Sequence, residues 1–169
     1  MAELIPRDRL QPFLLDRLTD LQPEARNEVR DMRALSPRDL RVSILRDLSW
    51  LLNANRHLDS EGLEEYPESA RSVLNFGMKR FTGSTSSSIT LAEIESSVRT
   101  AIQNYEPRIL PGSLHVSVIQ ANHEHGIRTI QIEIRGELWN VPLPEALYIR
   151  TEVELESGRF QVSEASSGS

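Results

Sequence analysis

There is no cysteine in this chain of 169 residues, which excludes disulfides, thiolate metal sites and a cysteine nucleophile. No apolar run reaches the roughly 18 residues that a membrane-crossing helix needs. Positive charge is short as well. Nineteen Lys and Arg against 25 Asp and Glu leave a formal charge of −6, and a nucleic-acid footprint would need a basic face. The start, Met-Ala-Glu-Leu-Ile-Pro-Arg-Asp, places charges where a signal peptide needs its apolar region. Gly-x-Ser-x-Gly elbows, phosphate loops and dinucleotide fingerprints are missing too. What remains is the expectation of a cytoplasmic globular protein, long enough for one domain with a real core.

What is present is ordered along the chain. Residues 1–36 read as an N-terminal arm. Within it Phe13, Leu14, Leu15 and Leu18 give a short apolar-faced helix, while Thr19 to Ala34 is too charged to bury much surface by itself. That apolar cluster must pack on the body or on another protein. The body, residues 37–163, opens at Ser36-Pro37-Arg38-Asp39, an N-cap with proline at the first helical position. Leu40, Ile44, Leu48, Leu51 and Leu52 then recur at helical spacing to about residue 54. Arg41, Arg46 and Asp47 fall mostly elsewhere on the wheel, and Asn53 and Asn55 suit a frayed end. Tyr66-Pro67-Glu68 opens a short helix closed near Gly77, and residues 82–88 form a Gly/Ser/Thr loop. Thr90-Leu91-Ala92-Glu93 is a capping box, followed by the stripe Leu91, Ile94, Val98, Ala101, Ile102 and Tyr105.

After Gly112 the hydrophobic period changes to two. Leu114, Val116 and Val118 form one alternating set. Ile130, Ile132, Ile134 and Leu138 form a second, and Ile149, Thr151, Val153 and Leu155 a third. Ser157-Gly158 signals a tight turn before a short fourth strand, and Asn140 to Pro144 reads as a crossover. Residues 164–169 are a tail. Helices followed by strands predict an α+β fold, with the helices on one face of an antiparallel sheet of three to four strands.

The most informative run is Tyr105-Glu106-Pro107-Arg108-Ile109-Leu110. An amphipathic helix is stopped by a proline, which fixes a carboxylate and a guanidinium at its exit beside apolar residues. Such a pair is either an internal pin or a docking site. As a glycosidase acid, Glu106 would need a second carboxylate about 5–9.5 Å away, and Glu93 and Glu95 lie too far back along the helix. Arg108 would also favour the ionised form, the wrong direction for an acid. His115, His123 and His125 are too few and too loosely placed for a zinc site. Trp50 and Trp139 read as core or sheet-packing residues.

Five segments, in order, resemble the TssE family of type VI secretion baseplate components. That family is related to the small wedge protein that starts the sheath of contractile phage tails. The segments are residues 13–20, 43–53, 66–77, 105–109, and 136–139 continuing to 147–152. The resemblance implies a structural role without catalysis or cofactor, inside a baseplate at the inner face of the cell envelope. It implies that Glu106, Pro107, Arg108 and Ile109 receive a helical bundle from the wedge proteins TssF and TssG, with TssK reached through them. It further implies that the sheet offers a strand edge to the sheath proteins TssB and TssC. Phe13, Leu14, Leu15 and Leu18 are a further candidate contact. Two other classes predict different behaviour: a regulatory binding module resembling an anti-adaptor, and a lysozyme-like peptidoglycan hydrolase using Glu106.

Overall fold

A computed structural model describes residues 13–19, 24, 36–57, 63, 65–79, 90–124, 127–139 and 144–164. The expected arm and the Gly/Ser/Thr loop fall largely outside these, and residues 165–169 of the tail do so entirely. Helix α1 spans Leu14–Leu18, α2 Pro37–Asn53, α3 Pro67–Arg71 and α4 Leu91–Tyr105, with a 3-10 turn at Val73–Asn75. Strands β1 His115–Glu124, β2 Ile127–Leu138, β3 Glu145–Glu154 and β4 Arg159–Glu164 follow. The fold is α+β, as the sequence predicts. Among the described residues no helix is long and apolar enough to cross a membrane.

Local sequence explains each helix start. In α2 the Ser36 hydroxyl accepts from the Asp39 N–H at 3.1 Å, with Pro37 at the first helical position. This satisfies one of the amides that a helix N-terminus leaves unpaired. In α4 both halves of the capping box form, Glu93 N to Thr90 Oγ1 at 3.2 Å and Thr90 N to Glu93 Oε2 at 2.8 Å. The Glu93 carboxyl is held below its ordinary range, first by the Thr90 backbone bond and then by the Thr90 side chain.

The four strands form one antiparallel sheet in the order β1-β2-β3-β4. Consecutive strands are neighbours throughout; the crossover expected at Asn140 to Pro144 lies, but for Pro144, outside the described residues. Period-two alternation sends Ile130, Ile132, Ile134, Ile149 and Val153 to one face, where α2 and α4 cover them. Ile44, Leu48, Val98 and Ile102 meet them from the helices, all fully buried. Burying each such side chain contributes about 1.5–3 kcal/mol. Thr151 sits on this apolar face without an unmet polar group, because its hydroxyl donates to the Gln161 carbonyl at 3.0 Å. Helix α2 lies against β4 and α4 against β1, so each sheet edge has a helix beside it.

Trp50 and Trp139 are corrections to the sequence reading. Both are exposed, Trp50 at 53 %. Trp50 lies off the buried stripe of α2 and stacks under Arg46, whose Cζ is 5.1 Å from the ring. Leu91, expected on the buried stripe of α4, is also exposed; it occupies the first turn.

Candidate functional site

Helix α4 ends where its sequence says it must. The Glu106 N–H still closes a helical bond to the Ile102 carbonyl at 2.9 Å, but φ −121°, ψ 78° takes Glu106 itself out of the helix. Pro107 allows no further turn. The chain then runs along the end of β2: Trp139 N donates to Arg108 O at 2.8 Å and Leu110 N to Glu137 O at 2.9 Å. An antiparallel bridge between Ile109 and Leu138 fixes the register. Gly136 allows this close approach, since a Cβ there would stand 3.0 Å from the Ile109 Cγ2. The Glu106-Pro107-Arg108 corner is therefore tied to both layers of the fold.

The side chains at this corner form a continuous charged chain. Glu106 is 3 % exposed and Arg108 8 %. Glu106 Oε1 accepts from Arg108 Nε at 2.5 Å, and its Oε2 from Arg108 Nη2. Arg108 Nη2 also donates to Asp47 Oδ2 at 2.6 Å, and Nη1 to Ser43 Oγ at 3.3 Å. Asp47 Oδ1 accepts from Arg46 Nε at 2.9 Å, and Arg46 Nη1 donates to Asp16 of α1 at 2.7 Å. Each arginine also faces an aromatic ring. Phe13 lies under Arg108, with Cζ 4.4 Å from the ring centroid, and Trp50 lies under Arg46.

Burial works against the Arg108 charge, but the hydrogen bonds and charges of Glu106 and Asp47 outweigh it and hold the guanidinium above its ordinary range. Arg46 follows the same pattern with Asp16 and Asp47. Charge-assisted bonds of this kind are stronger than neutral ones and hold geometry well. The arrangement suits pinning better than proton transfer. Asp47 is the second carboxylate that the sequence did not reveal, yet both Glu106 oxygens are engaged by Arg108 and lie away from solvent.

The candidate residues divide into two layers. Glu106, Arg108 and Ile109 are buried, while Pro107 is exposed above them. Phe13, Leu14, Leu15 and Leu18 all remain exposed, Leu14 at 72 %, so the arm helix rests on the body through Asp16 and Phe13 and leaves its leucines outward. Val42, Arg46 and Trp50 are spaced i, i+4, i+8 and share one flank of α2; both apolar members are exposed. Sequence reasoning missed Asp47 and Ser43. Their signal was the same spacing of four, beside the buried stripe at Leu40 and Ile44.

Fold and corner together define a class: a small α+β protein whose distinctive charged motif holds a surface in shape. A family profile refines this. The profile of baseplate wedge protein gp25 matches residues 38–143, well over half of the chain, and the chain belongs to that family. No curated protein and no solved structure matches it. The matched stretch contains Asp47 together with Glu106, Pro107 and Arg108, both halves of the charged chain. Membership supports a structural role in a baseplate, as the resemblance read from the sequence implies.

Proposed function

We propose that this chain is the TssE-type subunit of a type VI secretion baseplate, assembled on the cytoplasmic side at the inner face of the cell envelope. It docks on the wedge proteins TssF and TssG, with TssK beyond them, and starts the sheath by offering a strand edge to TssB and TssC. The observation that carries this reading is the family match across residues 38–143, which takes in both halves of the charged corner.

The exposed apolar residues around the corner support docking there. A partner approaching the corner meets Pro107, the Phe13 edge, Trp50 and the outward leucines of α1, while the ion pairs underneath keep these in place. Exposed apolar anchors around a rigid centre are what an amphipathic partner helix buries. Glu106 and Arg108 reach a partner directly only if Phe13 swings aside; otherwise they act from beneath.

The test is binding of purified TssF–TssG by the full-length chain and two variants, with folding followed by circular dichroism. A Leu14→Ser, Leu18→Ser double change should weaken binding at least tenfold with the fold intact. Equal binding by that variant would move the contact off the arm. Failure of the unaltered chain to bind would remove the wedge reading. Arg108→Ala separates the two layers, because a folded variant that loses binding makes the buried pair part of the contact.

A further inference from the structure

The helices treat the two edges of the sheet differently. At β1, Arg99 Nη2 of α4 donates to the Val116 carbonyl at 3.2 Å, and Glu95 Oε1 accepts from the Val118 N–H at 2.7 Å. These rungs are taken by side chains of a helix whose other face is in the core. A bulge between Val118 and Gln120 interrupts the same strand.

At β4, among the described residues, one rung is met in this way, by a single side chain. Asn53, the last residue of α2, donates from Nδ2 to the Phe160 carbonyl and accepts at Oδ1 from the Phe160 N–H, both at 3.0 Å. A primary amide offering donor and acceptor side by side imitates one residue of an antiparallel neighbour, which exchanges both bonds with its opposite. Backbone groups alternate direction along a strand, so Val162 turns its N–H and C=O to the same side as Phe160. Val162 lines a cleft of about 720 Å³ between β4 and the end of α2, walled also by Leu52 and Met78. Among the described residues lining it are two cations, Lys79 and Arg159, and no carboxylate.

We infer that β4 is the edge that accepts another chain, that its occupant is an extended segment carrying a carboxylate, and that Asn53 holds the first rung until it arrives. The inference rests on the strand-edge reading above and names the edge, the chemistry of the strand and the gate. Backbone bonds form at Val162, and the carboxylate lies between Lys79 and Arg159. An edge strand left bare invites unwanted pairing. Asn53 blocks the first rung, and giving way exchanges two neutral hydrogen bonds for two others.

The probe is the purified TssB–TssC pair against the full-length chain. Val162→Pro removes an outward amide hydrogen, a change edge strands tolerate, and alters a half-buried side chain packed against the core. It should weaken binding at least tenfold, as should Lys79→Glu combined with Arg159→Glu. Val118→Pro on β1, which gives up the bond to Glu95, should leave the binding of the folded variant as it was. Asn53→Ala should tighten it up to about tenfold, the worth of two modest hydrogen bonds. Hydrogen exchange on the unaltered protein gives a reading independent of variant folding, since the Val162 amide should gain protection in the complex. Loss of binding with Val118→Pro but not Val162→Pro, or no protection at Val162, would overturn the choice of β4 and leave the strand-edge reading standing. Binding indifferent to both prolines would remove the strand-edge reading itself.

Discussion

The Phe13 ring lies 4.4 Å from the Arg108 guanidinium, joining the first described residue of the arm to the motif 95 positions later. Arg108 already has Glu106 and Asp47 as ionic partners, so the ring covers a charge that is satisfied without it. Phe13→Ala should therefore cost only about 0.5–2 kcal/mol, the range of a cation–π contact between exposed and desolvated limits. Urea titration measures it; a loss as large as that of Arg108→Ala would make the arm an integral part of the core.

Arg108→Ala is the severe change. It leaves Glu106 buried without its partner and Asp47 without its strongest one, and breaking a buried pair in this way costs about 3–5 kcal/mol. The denaturation midpoint should fall with little change in slope. The family resemblance read from the sequence implies a docking role for Arg108. The burial of the pair predicts a stability loss as well, and a near-neutral result would mean the guanidinium reaches solvent in the native ensemble.

Glu133 gives a pH prediction. Burial alone would raise its pKa, but the Tyr148 hydroxyl and the Arg135 guanidinium both bond its carboxylate and hold it below the ordinary range. A folded value below the unfolded one, about 4.3 for glutamate, stabilises the protein above that pH. The contribution fades as pH falls through the folded value. Glu133→Gln should be less stable than the parent at pH 7, with the gap closing below about pH 4. Thermal melts across that interval check it, and a constant gap would show that Glu133 does not carry this linkage.

Gly77 has φ +120°, and a Cβ there would stand 2.5 Å from the Ala54 carbonyl oxygen. The same carbonyl accepts from Met78 N at 2.7 Å, closing the short bridge between Asn55 and Met78 beside the β4 cleft. Gly77→Ala should cost about 1–3 kcal/mol from backbone strain, before counting the clash. Differential scanning calorimetry would register it, and an unchanged melting temperature would mean that this segment rearranges freely.

Much of this was legible in the sequence because it is local. The absence of cysteine, the capping box at Thr90, the stop at Pro107 and the switch from helical to alternating periodicity depend on residues a few positions apart. Backbone sterics and hydrogen-bond valence act at that range. Together they determined four helices, four strands and the α+β class. Tertiary structure alone decided what the charged residues do. Asp47 and Arg46 look like a solvated flank until α4 brings Arg108 beside them, and Asn53 looks like a frayed end until β4 lies alongside it. A side chain's polarity can be read from its identity, but its partner cannot. The pairs Asp47 with Arg108 and Asn53 with Phe160 join residues 61 and 107 positions apart, and only the packing of helices on the sheet brings them together.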